Sequence, residues 1–273
     1  MIKNRFQYLA PKSAEEAAAL LAQSPGDTEV IGGGTWVVVE MTAGSRDPKR
    51  VIDLKDAGLR YVHAEGGNVV IGARATYTDV VRSAAAKQLP ALVAMCAGIT
   101  GGAQLRNRAT IGGSACHGNP SADVHGLLVG LGATLSLRSV AGSRQVAAAD
   151  FYRGAFDVDV QPGEILESIS IPVPTGVRQG YYKFKLAESS WPVCTGTALV
   201  AADGTATVTI GAANTRPVTV TGSTSDLDAL ATAAEAAITS PFSDPLADGD
   251  YRKQIAGAIA KRAVKAAVEG DRR

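Results

Sequence analysis

Two glycine-bearing stretches carry the residue types that a bound phosphate would need. The longer is Gln104-Leu-Arg-Asn-Arg-Ala-Thr110-Ile-Gly112-Gly113-Ser114, continuing through His117 to Pro120 and Asp123. Here Ala109–Ile111 reads as a short strand that stops in two glycines, and Asp123 opens a helix. Gly112 and Gly113 let main-chain N–H groups turn toward one point and let an anion approach the backbone. Thr110 and Ser114 add hydroxyls, and Asp123 is an acceptor for a ribose or another hydroxyl-bearing group. The second stretch, Ile31-Gly32-Gly33-Gly34-Thr35-Trp36, follows a predicted strand over 28–31 and also ends in a hydroxyl. The two lie about eighty residues apart and are placed to close on one pyrophosphate from two sides. Together they suit a dinucleotide, held by a chain with no metal or nucleophile of its own to offer it.

Other phosphate motifs do not fit. A dinucleotide fingerprint at Gly32–Gly34, with Asp53 on the ribose, fails because Val37 stands at the third glycine position. Too few residues then separate Thr35 from the next strand for the long helix that motif needs. No Gly-Lys-Ser/Thr follows either turn, which excludes a Walker loop. The plain alternative for each turn is ordinary strand-end geometry. Around Thr110–Ser114 the dense polar cluster of Gln104, Arg106, Asn107 and Asp123 argues against it.

The elements that must position these turns follow from periodicity. A strand at 6–9 leads to a helix opened by Ser13, with Glu16 at capping-box spacing and Ala17, Ala18, Leu20 and Leu21 as its apolar stripe. A short helix at 36–41 precedes a strand at 50–54, completing a small β-α-β unit. A hairpin over 61–71 turns at Gly66-Gly67, and Thr76 or Thr78 caps a helix ending at Arg82. An apolar helix spans 89–97, a further helix 124–131, a hairpin 133–147 and a strand 164–171. Pro172-Val-Pro-Thr-Gly176 reads as the domain boundary. Beyond it, three strands (180–186, 195–202, 205–213) and two helices (225–238, 250–268) form a separate α+β unit.

Composition narrows the function. The 273 residues suffice for one large or two modest domains, and 46% hydrophobic with 19% charged residues is ordinary for a globular chain. A net charge of +1 and 5% aromatics point away from nucleic acid and membrane surfaces. Cys96, Cys116 and Cys194 show no CxxC spacing, so neither a structural zinc site, an iron–sulfur cluster nor a disulfide framework is indicated. No apolar run at the start serves as a signal and none elsewhere spans a bilayer, so a cytoplasmic location is expected. His117 beside the second turn reads as a polar helix residue rather than a catalyst.

The segment Ala97-Gly-Ile-Thr-Gly-Gly-Ala-Gln-Leu-Arg-Asn-Arg-Ala-Thr-Ile-Gly-Gly-Ser114 closely resembles the A-x-x-I-G-x-x-Q-I-R-N-x-G-T-I-G-G-N signature of the FAD-binding subunit of molybdenum hydroxylases, the xanthine dehydrogenase and aerobic carbon monoxide dehydrogenase family. Asn119-Pro-Ser-Ala-Asp123 is similar to its D-P-A-x-D, and Ile31–Thr35 to its first flavin loop. Phe6-Gln-Tyr-Leu-Ala-Pro-Lys-Ser13 and Glu164-Ile-Leu-Glu-Ser-Ile-Ser-Ile-Pro172 resemble its N-terminal segment and its E-I-L-x-x-I-x-I-P strand. The resemblance covers essentially the whole chain.

It implies an α+β fold: a two-part FAD-binding domain of the vanillyl-alcohol-oxidase type over 1–175 (parts 1–55 and 56–175), then a C-terminal domain, 176–273, with an antiparallel three-stranded sheet. Carried over by position, Ile31, Gly32, Gly33, Gly34, Thr35 and Trp36, with Thr110, Gly112, Gly113 and Ser114, would hold the pyrophosphate. Asp123 would bind a ribityl or ribose hydroxyl, Leu166 would pack near the adenine or flavin, Thr100 would lie against the cofactor, and Lys183 would lie near the isoalloxazine. Trp36 stands where Asp or Ser is usual, Ser114 replaces the common Asn, and Ala187 and Ser190 stand where Arg and Asp are often seen. The implied function is transfer of electrons from a small 2Fe-2S subunit to an external acceptor, with a large molybdopterin subunit oxidising the substrate. The expected assembly is a dimer of heterotrimers, with the C-terminal sheet and the helix at 89–97 as candidate contact surfaces. The rival readings are a self-sufficient FAD oxidase or dehydrogenase and a flavin-free structural subunit.

Overall fold

A computed structural model describes residue 2, residues 5–99 and residues 101–270. The chain opens with β1 (Gln7–Leu9), α1 (Ala14–Ala22), β2 (Thr28–Ile31), α2 (Val37–Ala43) and β3 (Arg50–Asp53). These strands form a parallel sheet in the order β1-β3-β2, as the β-α-β reading requires. Ser13 caps α1 by accepting from Glu16 N–H, but the Glu16 carboxylate reaches Lys12 N–H rather than closing a full capping box.

Next come β4 (Val62–Glu65), β5 (Asn68–Gly72), α3 (Tyr77–Arg82), α4 (Pro90–Ala97), α5 (Gly102–Arg106), α6 (Ile111–His117) and α7 (Asp123–Gly130). They are followed by β6 (Thr134–Ser139), β7 (Gly142–Ala147), α8 (Ala148–Phe151), β8 (Tyr152–Gly154), β9 (Asp157–Val158) and β10 (Ile165–Pro172). The long strand β10 inserts between β5 and β6, giving an antiparallel sheet β4-β5-β10-β6-β7. Its inner face (Val69, Ile71, Leu135, Ile169, Ile171) belongs to one core with Leu92, Met95, Ile111, Leu127 and Leu128 of the helices.

The predicted strand at 109–111 is not one. Thr110 makes a single bridge to Thr76 and then caps α6, which starts at Ile111. Helix-poor Gly112 and Gly113 are carried into α6 by packing: a Cβ on Gly112 would lie 2.4 Å from the carbonyl oxygen of Ala73.

The C-terminal region holds β11 (Arg178–Lys185), β12 (Pro192–Val200), β13 (Thr205–Gly211), β14 (Val218–Ser223), α9 (Leu227–Ala237) and α10 (Gly249–Glu269). Its antiparallel sheet has four strands, not three. The missed strand, Val-Thr-Val-Thr-Gly-Ser, alternates half-buried and exposed positions at an edge and carries little apolar signal. This unit packs against the preceding part of the chain through α7. α10 lies over one face, so close that a Cβ on Gly180 would meet the Ala263 carbonyl oxygen at 2.4 Å. α7 lies on the other, where a Cβ on Gly126 would meet Gly211 Cα at 2.9 Å. Strand β12, covered on both sides, is buried at nearly every position. α4 buries one face, with Ala91, Leu92, Met95 and Cys96 no more than 1% exposed, while Val93 and Ala94 are half-buried and Pro90 and Ala97 exposed.

Candidate functional site

The two glycine turns meet. A Cβ on Gly32 would lie 2.7 Å from Thr110 Oγ1 and one on Gly33 only 1.9 Å from the Arg108 carbonyl oxygen, so the backbones touch where no side chain fits. Arg108 Nη2 also donates to the Gly33 carbonyl at 3.4 Å. Beside this junction opens a cleft of about 880 Å³, within the range of small-molecule sites. Ile31 through Trp36, Thr110, Gly112, Gly113, Ser114, Asp123 and Leu166 all line it. Thr100 lies outside the described residues.

The division of labour between the turns differs from expectation. In the second turn the N–H groups are already engaged: Gly112 with Ala73 O at 3.1 Å, Gly113 with Thr110 Oγ1 at 3.1 Å, and Ser114 with Thr110 O at 3.0 Å. They are structural, and the turn offers the cleft its hydroxyls. In the first turn, among the described residues, Gly32, Gly33, Gly34, Thr35 and Trp36 donate their N–H groups to no protein acceptor. Gly34 stands at φ +70°, and these consecutive unengaged donors lie along the wall of the cleft, the kind of backbone run that can accept an anion.

Ser114 is oriented from behind. The hydroxyl of buried Tyr77 donates to Ser114 Oγ at 2.7 Å, so the Ser114 proton is left to point elsewhere. Nothing in the composition marks Tyr77 as a site residue. The sequence signal that places it is the box Thr76-x-x-Asp79, which caps α3 at both donors.

Asp123 is 1% exposed and held by β11: Tyr181 Oη donates to Oδ1 at 2.7 Å and Lys183 Nζ to Oδ2 at 3.1 Å. Burial raises the carboxyl pKa against the pull of Lys183 and Tyr181, and burial lowers that of the Lys183 ammonium against the pull of Asp123. Lys183 also donates to Gly98 O at 3.3 Å; it sits behind Asp123 and is not part of the cleft lining. In the structure Lys183 supports the Asp123 carboxylate.

At one side of the cleft, Trp36 meets His117 edge-on at 4.8 Å and Trp191 at 6.1 Å, and Phe156 meets His117 at 5.5 Å. Burial lowers the His117 pKa, with Glu40 opposing and Arg46 assisting. Arg46 pairs with Glu29 at 2.7 Å and Glu40 at 2.9 Å along the same lining. The arrangement can hold a diphosphate by backbone donors, a hydroxyl-bearing chain by Ser114 and Asp123, and flat rings by apolar and aromatic walls. The donor set and the glycine junction fit a dinucleotide such as FAD. Among the described residues no cluster of three or more His, Cys, Asp or Glu could hold a metal, and no helix is long and apolar enough to cross a membrane.

Comparison with known proteins agrees with this geometry. The family model described as the FAD binding domain in molybdopterin dehydrogenase matches residues 4–174. The carbon monoxide dehydrogenase medium chain of Afipia carboxidovorans is 34% identical, with 98% of each chain covered. Among solved structures, carbon monoxide dehydrogenase from Hydrogenophaga pseudoflava, in a form lacking the Mo-pyranopterin moiety, matches with a TM-score of 0.91 at 30% identity over 98% of each chain. Quinoline 2-oxidoreductase from Pseudomonas putida 86 matches with a TM-score of 0.89 at 28% identity over 99% of each chain.

Proposed function

The chain belongs to the family of FAD-binding domains in molybdopterin dehydrogenases, and from that premise we propose that it is the electron-transfer subunit of a molybdenum-containing hydroxylase or dehydrogenase. The observation that carries this reading is the row of unengaged N–H groups from Gly32 to Trp36 on the wall of the cleft. They hold the pyrophosphate, Thr110 and Ser114 add hydroxyl donors, Asp123 accepts from a hydroxyl, and Ile31 and Leu166 supply apolar walls. Gly112 and Gly113 keep the second turn tight against the first. When bound, FAD supplies the redox chemistry. The chain's residues bind and orient it, and none is needed as a general base.

The same proposal divides the chain at 175. Residues 1–55 hold the parallel sheet and 56–175 the five-stranded one, as a two-part FAD-binding domain of the vanillyl-alcohol-oxidase type; 176–273 are the C-terminal flavoprotein domain. The partners are a large molybdopterin subunit and a small 2Fe-2S subunit, arranged as a dimer of heterotrimers, with no nucleic acid involved. The relative named a medium chain supports a multi-subunit assembly. A cytoplasmic location is supported by three cysteines that all remain free thiols.

Purified full-length chain tests the reading. It should carry a visible flavin spectrum, or acquire one on adding FAD, at one FAD per chain, with no substrate oxidation by the chain alone. A chain that takes up no FAD overturns the proposal. Turnover of an organic substrate by the lone chain would favour a self-sufficient oxidase or dehydrogenase.

A further inference from the structure

The turn 119–123 places Ala122 and Asp123 on the wall of the cleft, yet what holds it comes from the other end of the chain. Besides the grip of Tyr181 and Lys183 on Asp123, the hydroxyl of Ser121 donates to Asp244 Oδ2 at 2.7 Å across 123 residues of sequence. Asp244 Oδ1 accepts from the N–H groups of Leu246 and Ala247 and, at 2.5 Å, from Arg252 Nη2.

Arg252 is wholly buried. A guanidinium in that position is tolerated only when its donors are engaged. Nη1 donates to Val193 O and Ala212 O, both at 2.7 Å, Nε reaches Ala247 O at 3.4 Å, and the plane lies 4.3 Å from the Phe242 ring centroid. Val193 is two residues beyond Trp191, which lines the cleft. One buried cation therefore holds two walls of the site: the start of β12 directly, and turn 119–123 through Asp244 and Ser121.

For stability alone, an apolar side chain of similar volume would serve as well as a buried ion pair. The link through Ser121 does something packing does not. It leaves the C-terminal core and ends on the residue two before Asp123. We propose that Ser121, Asp244 and Arg252 form a positioning device for the cofactor site, fixing turn 119–123, and with it Asp123, against the start of β12. This rests on the reading that the cleft holds FAD. None of the three touches the reacting group; they act through Asp123 and its turn.

Ser121→Ala isolates the link. It removes one hydroxyl, leaves the Arg252 network in place, and exposes Asp244 Oδ2 to water, since that side chain is already 23% exposed. Two measurements on the full-length chain separate the outcomes. In flavin-free protein, amide hydrogen exchange over 119–123 should accelerate while exchange elsewhere and the Tm stay as in the parent chain. In an FAD titration followed by flavin fluorescence, the Kd should rise about tenfold. Unchanged exchange over 119–123 overturns the proposal, and so does faster exchange with an unchanged Kd. A parent chain that binds no FAD defeats the reading of the cleft itself, and the exchange data on flavin-free protein still show whether the link holds the turn.

Discussion

A Cβ built on Gly33 would lie 1.9 Å from the carbonyl oxygen of Arg108, so two turns far apart in sequence are locked backbone to backbone. The donors from Gly32 to Trp36 face the cleft only while that contact holds. Gly33→Ala should therefore separate the turns, lowering stability by about 2 kcal/mol, as overpacking does, and weakening FAD binding at least tenfold. Gly154→Ala, outside the cleft lining and with only an ordinary 3.8 Å contact to Asp157 Cβ, is the control and should change neither. Thermal unfolding and an FAD titration of both variants decide; equal behaviour would remove Gly33 from the site.

Much of this was legible in the sequence because local signals and tertiary packing agree there. The strand and glycines of 28–34, the hairpin turning at Gly66-Gly67 and the Thr76 cap stand where residue type and spacing put them. The misread strand at 109–111 shows the limit. Ala-Thr-Ile has strand-like residue types, but the backbone bends into α6 because Gly112 can press on Ala73. Which turn supplies free donors was not legible either, since the acceptors that engage Gly112 and Ile111 come from Ala73 and Ala75. Tyr77, Asp244 and Arg252 were missed for the same reason: each acts on a residue distant in the chain, and no periodicity marks such a contact.

Tyr77→Phe tests the orientation of Ser114. It deletes the 2.7 Å hydrogen bond inside the core and frees the Ser114 hydroxyl to rotate. The loss should cost about 1 kcal/mol of stability and a severalfold weakening of FAD binding. Ser114→Ala should weaken binding similarly, and the double variant no more than either alone. Additive losses in the titration would separate the two residues.

His125 should make stability pH-dependent in the acid range. It is 3% exposed, its ring lies 4.2 Å from that of Tyr152, and burial lowers its pKa to about 4 from an ordinary 6.5. Between those values the unfolded chain holds the proton and the folded chain does not, so stability rises with pH. Acidification from pH 7 to pH 4 should remove about 3 kcal/mol through this group. His125→Phe keeps an aromatic ring against Tyr152 and should flatten that part of the curve. Denaturant unfolding at a series of pH values measures it; an unchanged slope would assign the acid sensitivity to other groups.

The flavin should be held without a covalent bond. Cys116 lines the cleft, but burial pushes its thiol up to about 12, so it stays protonated at neutral pH and is a poor nucleophile. Acid precipitation of flavin-loaded protein should leave the yellow colour in the supernatant. Colour that remains in the washed pellet would contradict this.

Lys183 and Asp123 supply the last test, because the pair is buried and Asp123 lies on the wall of the cleft. Their side chains are 7% and 1% exposed and meet at 3.1 Å. Lys183→Met removes the cation and leaves the carboxylate with Tyr181, which should cost about 3 kcal/mol at neutral pH. The sign with pH follows from burial, which already holds the Asp123 pKa above its ordinary 3.8 and will hold it higher without the ammonium. Above pH 4 the unfolded chain releases this proton while the folded variant keeps it, so the variant should lose stability as pH rises toward neutrality. Asp123→Asn in the same chain removes the titrating group and should restore a flat profile, recovering part of the stability. It should not recover FAD affinity, since the amide presents a neutral, differently placed acceptor to the cofactor hydroxyl. If Lys183→Met were as stable as the parent at pH 7 and equally tight for FAD, the lysine would have no part in holding Asp123.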